Sequence, residues 1–231
     1  MSKHYIIIGG SKGIGRALVN EMTNRGDQVT VYSRTKGDLE SSINHVVFDA
    51  TTDEFPKETL PEEIHGLAYC PGSITLKPFR SLKEETFLED FNINVLGAVK
   101  AIKASMTKLK KSGAGSIVLF STVAVGQGMA FHASIATAKA AVEGLTRSLA
   151  AELAPAIRVN CIAPSLTDTE LAGNLLSTPE KKEASDNRHP LRRTGTATDI
   201  AKMAAFLLSS DSTWISGQII GVDGGMSALR V

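Results

Sequence analysis

Short apolar runs, each about the length of a β-strand, alternate along this chain with longer segments in which apolar residues recur three and four positions apart. The runs at 5–8, 28–32, 45–48, 66–70, 116–121, 158–162 and 218–222 predict seven strands. Several are apolar at consecutive positions rather than alternate ones, as in Tyr5-Ile6-Ile7-Ile8, so both faces of the sheet must be covered. Segments near 14–24, 83–110, 134–153 and 198–208 carry the helical period that would cover them. The expected class is α/β: a doubly wound, seven-stranded parallel sheet with helices on both faces.

Length, charge and cysteine usage narrow the class without naming a chemistry. The 231 residues and 42% hydrophobic content suit one core. No repeat, low-complexity run or Pro/Gly-rich linker divides the chain, so residues 1–231 are expected to form a single domain. With 25 basic and 24 acidic side chains the net charge is +1, which gives no footprint for nucleic acid or an anionic membrane. The short apolar stretch after Lys3 runs into glycines and reads as a buried strand, neither a signal peptide nor a spanning segment. A cytoplasmic protein acting on a small-molecule substrate is the expectation. Cys70 and Cys161 are too few for a disulfide framework and lack zinc spacing, so both read as buried reduced thiols, and no metal site is expected. Two segments look like functional loops: 122–133, rich in small residues, and 165–196, a candidate substrate lid.

The first chemical motif is Gly9-Gly10-Ser11-Lys12-Gly13-Ile14-Gly15, directly after the first strand and opening a helix. Glycines 9, 13 and 15 permit a tight turn and close approach of backbone to a pyrophosphate, which would sit at the positive end of the helix dipole. This is the Rossmann arrangement, and the alternating pattern around it supplies the context the motif needs. At the end of the second strand a chain selecting NAD tends to present a carboxylate to the ribose 2′-hydroxyl. Here Tyr32-Ser33-Arg34-Thr35 holds no acid before Asp38. Arg34 and Lys12, with Ser33, could clamp a 2′-phosphate, so NADP(H) is favoured.

With these motifs the chain resembles the short-chain dehydrogenase/reductase superfamily, and most closely its 3-oxoacyl-carrier-protein-reductase-like members. The resemblance covers essentially the full length. Asp49 matches the adenine-contacting aspartate, Asn94 in Asn92-Ile-Asn-Val-Leu-Gly97 matches the catalytic asparagine, and Lys139 matches the catalytic lysine. The stretches Arg158 to Pro164 and Trp214 to Gly225 match two further signatures, the second highly specific. The resemblance implies that Lys139 anchors the nicotinamide ribose, that Asn94 supports a water relay, and that Thr169 hydrogen-bonds the nicotinamide carboxamide. Ala50, Gly72 and Pro164 complete the implied cofactor contacts. It also implies a homodimer or homotetramer joined by the helices around Asn94 and Lys139.

Departures from the family pattern concentrate where chemistry would occur. Ile8 replaces a threonine, Tyr69-Cys-Pro-Gly72 replaces Asn-Asn-Ala-Gly, and Ser165 replaces a glycine. Thr122 stands at the tetrad serine and can still orient a substrate, since its hydroxyl donates and accepts. Ile135 stands at the tetrad tyrosine, four residues before Lys139, and can do neither. Losing a general acid costs about 10² to 10⁴ in rate. His132, seven residues before Lys139, is the candidate substitute donor, because imidazole is a competent acid near neutrality; the alternative is a surface or capping residue at the helix entry. Ser134 is expected to cap the helix, and Met129 and Phe131 fit either a lining of the substrate pocket or a mobile apolar loop wall. His189, Arg192 and Arg193 are candidates for a charged substrate or a partner subunit, within a structural-looking segment, and 181–189 reads as a solvated helix face. The expected function is an NADP(H)-dependent oxidoreductase acting on a carbonyl, alcohol or activated double bond. The alternative is a catalytically silent NADP(H)-binding protein.

Overall fold

The computed structural model describes residues 2–230. β1 (His4–Ile8) leads into α1 (Gly13–Asn24), then β2 (Gln28–Ser33) and β3 (Asn44–Val47). After β4 (Gly66–Tyr69) come α2 (Glu84–Phe91), a π-helical turn (Asn92–Leu96) and α3 (Gly97–Lys111). β5 (Gly115–Phe120), a short α4 (Ala124–Gln127), the long α5 (Ala133–Leu153) and β6 (Ile157–Pro164) follow. Next are β7 (Thr167–Asp168), α6 (Pro179–Arg188), β8 (Gly195–Thr196), α7 (Ala197–Leu208) and β9 (Ile219–Val222).

Seven strands form one parallel sheet in the order β3-β2-β1-β4-β5-β6-β9. β1 shows why its sequence is continuously apolar. Ile6 and Ile8 enter one core with Ile102, Val142 and Leu153 from α3 and α5. Tyr5 and Ile7 enter the other with Leu18, Met22 and Ile200 from α1 and α7. Each such side chain contributes about 1.5–3 kcal/mol by leaving water, so both layers are held to the sheet from its centre. From β1 the chain moves outward to β2 and β3, and β4 returns to the other side of β1. A crevice therefore opens at the C-terminal ends of β1 and β4, where such folds take ligands.

All seven expected strands form within two residues of their expected ends. The expected helix at 83–110 instead splits at the π-helical turn. There Asn94 Nδ2 donates to the Asp90 carbonyl at 2.8 Å, and the Tyr69 hydroxyl donates to the Ile93 carbonyl at 2.6 Å. Side chains thus serve backbone carbonyls where the helix widens, a local irregularity that no hydrophobic period records. The two-residue strands β7 and β8, which pair with each other at the two ends of the 165–196 segment, were also outside the expectation. Among the described residues no helix is long and apolar enough to cross a membrane.

Candidate active site

A cavity of about 320 Å³ opens at the crevice, with Ile14, Gly72, Thr122, Lys139, Pro164 and Leu171 representing the elements that wall it. The glycine loop contributes Ile14 to its lining, and the loop's own turn is built from backbone. Gly9 and Gly13 have φ of +74° and +52°, conformations that L side chains rarely adopt. A Cβ on Gly15 would collide with the Gly9 carbonyl oxygen, and one on Gly13 would meet Thr169 Cγ2 at 3.4 Å. Lys12 precedes α1 without a side-chain cap, so first-turn N–H groups remain for an anion, beside the buried Ser11 and the cavity-lining Ile14.

The residues expected at a 2′-phosphate have different partners in the structure. Arg34 is exposed and makes no ion pair among the described residues, while Asp38 is held by Arg16 at 3.1 Å. Lys12 instead reaches the 165–196 segment, pairing with Glu170 at 2.6 Å, and both groups are well exposed. Ser33 faces inward: its hydroxyl donates to the Thr35 carbonyl at 2.9 Å and accepts from His45 Nε2 at 2.9 Å. Two of the three residues expected there, Lys12 and Ser33, thus already have partners. Asp49, followed by the buried Ala50, accepts from the Thr51 hydroxyl and backbone N–H at 2.6 and 2.8 Å, bonds that hold its carboxyl below the usual range.

At the other end, Lys139 Nζ is buried and donates to the Phe120 carbonyl at 2.9 Å. Desolvation lowers its pKa to about 8, against the opposing pull of Cys161, Cys70 and Asp90. A Cβ on Gly72 would lie 3.3 Å from Asn94 Oδ1 and 3.4 Å from Lys139 Nζ, so these two atoms flank the space above that glycine. Asn94 Oδ1 is buried and has no partner. Thr122 Oγ1 accepts from the Ala124 N–H at 3.3 Å and keeps its own proton uncommitted, whereas Ser121 donates to Glu143 at 2.7 Å. Thr122 is therefore the available hydroxyl on this wall.

Ile135 is buried and lines the cavity together with Lys139. His132 lines it too, at the entry of α5. Its Nδ1 lies 2.7 Å from the Ala130 carbonyl, which can only accept, so Nδ1 carries a proton and Nε2 is left for exchange with a ligand.

Several expectations need correction. Ser134 does not cap α5; its hydroxyl is buried and donates to Asp90 Oδ2 at 2.6 Å, because a buried carboxylate is the stronger acceptor. Phe131 does not line the cavity: its φ of 69° turns the ring outward, where it is exposed, while Met129 does line it. His189 is not a surface contact. Its Nδ1 donates to the Ser185 carbonyl at 2.7 Å and its Nε2 bonds the Ser165 hydroxyl at 2.8 Å, tying α6 to the end of β6. Arg193 pairs with Asp199, part of the capping box that opens α7. Cys70 is partly accessible at the cavity wall, with burial pushing its thiol up to about 12. Sequence reasoning missed Asp90 and Ser73, since nothing in the acid-rich run Glu84 to Asp90 distinguishes the one carboxylate that turns inward.

The chain matches the family model described as enoyl-(acyl carrier protein) reductase over residues 9–227. A tropinone reductase homolog of Arabidopsis thaliana is 33% identical over 244 residues, spanning 96% of this chain and 92% of its own length. The ligand-free aldohexose dehydrogenase of Thermoplasma acidophilum superimposes with a TM-score of 0.92 at 28% identity, covering 99% of this chain and 95% of that one. ElxO with NADP bound gives a TM-score of 0.90 at 27% identity, over 99% of this chain and 100% of its own. A tyrosine-to-phenylalanine variant of ElxO with NADPH bound is equally similar.

Proposed function

The chain belongs to the short-chain dehydrogenase/reductase family, and on that premise we propose that it is an NADP(H)-dependent oxidoreductase acting on a carbonyl, alcohol or activated double bond, through a site that lacks the family's tyrosine. The observation that carries this reading is the pairing of a backbone-built cradle with an unpartnered Asn94 Oδ1 beside Lys139. A nicotinamide nucleotide fits these residues: the glycine turn excludes any side chain at Gly15, and the buried acceptor awaits a donor. When bound, the cofactor supplies or takes the hydride.

The chain's own residues have separable tasks. Gly9, Ser11, Gly13, Ile14 and Gly15 would receive the pyrophosphate, Asp49 and Ala50 the adenine end, and Gly72, Pro164 and Thr169 the nicotinamide end. Arg34 would meet the 2′-phosphate, joined by Lys12 once its exposed pair with Glu170 opens, an exchange that costs little. Lys139 would hold the ribose and, with a pKa near 8, carry an exchangeable proton at working pH. Thr122 would orient the substrate oxygen and His132 Nε2 would donate the proton. Ile74, Leu76, Ile135, Leu171 and Leu175 leave that part of the cavity largely apolar, which suits an uncharged, apolar substrate. ElxO, which carries bound NADP, supports the cofactor class.

A second reading is a silent NADP(H)-binding protein, favoured by Ile135, whose side chain cannot exchange a proton. Calorimetry on the wild type and Arg34→Ala, followed by turnover on a panel of ketones and enones, separates these readings. NADPH should bind at least about tenfold more tightly than NADH, as one charge-assisted contact implies. Equal affinities would overturn the NADP assignment, and tight binding without any turnover would select the silent protein. We also propose a symmetric oligomer joined by α3 and α5, supported by the exposed Leu88, Phe91 and Leu96 on the adjoining helical stretch. A mass near 24.5 kDa by light scattering would reject it.

A further inference from the structure

The carboxylate of Asp90 is almost sealed from solvent, yet among the described residues its only hydrogen-bond partners are hydroxyls. Oδ1 accepts from Ser73 Oγ at 2.5 Å and from Thr75 Oγ1 at 3.2 Å, and Oδ2 accepts from Ser134 Oγ at 2.6 Å. Among the described residues no arginine, lysine or histidine forms an ion pair with it. Burying a charge without a counter-ion is costly unless hydrogen bonds repay most of the loss, so the arrangement is built rather than incidental.

These contacts give the site a direction. The Ser73 hydroxyl has one proton, and Asp90 takes it. Ser73 Oγ must then accept from Asn94 Nδ2, 3.1 Å away, and the same amide nitrogen donates to the Asp90 carbonyl at 2.8 Å. Both bonds require a donor, so the NH₂ side of Asn94 faces Asp90 and Ser73. Oδ1 is left pointing away, the unpartnered atom beside Lys139. Without the carboxylate, Ser73 could reverse its proton and the amide could flip.

We propose that Asp90 is a positioning residue of the active site: through Ser73 it fixes which way the Asn94 amide faces, and through Ser134 it ties the entry of α5, with Ile135 and Lys139, to the same point. This rests on the reading of Asn94 and Lys139 as the proton-handling groups. From α2, Asp90 bonds side chains of two other elements, Ser73 and Thr75 in the loop after β4 and Ser134 at the entry of α5. Its charge also favours the ammonium form of Lys139, whose other neighbours are the Phe120 carbonyl on β5, Cys70 after β4 and Cys161 on β6. Glu143, one turn further along α5, is occupied by Ser121 and Arg147.

The test uses the chain without nucleotide, so it does not depend on turnover. Lysine side-chain ¹⁵N NMR, with Lys139 assigned from Lys139→Arg, follows its titration. Asp90→Asn should lower the Lys139 midpoint by about one pH unit, the effect expected for loss of a nearby opposite charge. Hydrogen exchange at Asn94 Nδ2 should quicken about tenfold in Ser73→Ala, the loss of one buried hydrogen bond, and return towards wild type in Ser73→Thr. If Asp90→Asn does not fold, Ser73→Ala carries the test alone, because it keeps the carboxylate. A folded Asp90→Asn with an unmoved Lys139 midpoint, or Ser73→Ala with unchanged Asn94 exchange, overturns the proposal. Both shifts in a chain that turns over no substrate would support this positioning role while removing the enzymatic reading.

Discussion

The glycine loop and the wall around Ile135 share one cavity but are made of different material. The first is backbone: positive φ at Gly9 and Gly13, no room for a Cβ at Gly15, and an uncapped helix start. The second is a set of single side chains, Lys139, Asn94, Thr122 and His132, each with its own hydrogen-bond partners. A backbone site depends on the whole fold and survives most substitutions; a proton-transfer site can be lost with one. That difference explains how a chain can keep the glycine turn while Ile135 occupies the position of a proton donor.

The comparison can be broken from the backbone side with the largest effect. Gly15→Val should abolish NADPH binding, because the new side chain meets the Gly9 carbonyl, and should destabilise the fold by about 1–3 kcal/mol. Calorimetry with a thermal melt measures both; retained affinity would show that the loop does not hold the nucleotide by close approach. On the side-chain wall, His132→Ala should lower turnover up to about 10²-fold, the lower end for a general acid. Turnover that survives unchanged would leave water as the donor. Smaller again is Arg34→Ala, expected to reduce the preference for NADPH over NADH about tenfold, with the wild-type preference shrinking as salt is added.

The smallest effect is on stability. Lys139 loses its proton near 8 in the folded chain and near 10.5 when unfolded, so between these values the unfolded chain binds more protons and stability rises with pH. Cys70 and Cys161, pushed from 9.0 to about 12, act in the opposite sense above pH 9. Denaturant titrations should therefore show a rise of about 1 kcal/mol confined to pH 8–9 and missing in Lys139→Met. The same slope in both proteins would assign it elsewhere.

The two regions also differed in how far they could be read from sequence. Strands and glycine loop were legible because they depend on period and on the absence of side chains, both of which a sequence states directly. Asn94, Thr122 and Lys139 were found by motif, and the structure brings them to one cavity wall or its edge. The partners of Lys12, Ser33, Ser134 and His189 were not legible, since a hydroxyl or charge takes whichever acceptor the fold delivers. Asp90 was invisible for the same reason: within the acid-rich run Glu84 to Asp90, the sequence does not mark which carboxylate is buried.

The separability of the two regions is tested most directly by measuring NADPH affinity and ketone turnover on the same preparations of wild type and Ile135→Tyr. The new phenol would stand one helical turn from Lys139, whose ammonium favours the phenolate. Turnover should rise by about 10² to 10⁴, the contribution of a general acid. Affinity should stay within about twofold, because the cradle touches none of the changed atoms. Affinity falling in step with the substitution, or a folded variant that binds NADPH unchanged and gains no turnover, would contradict the account.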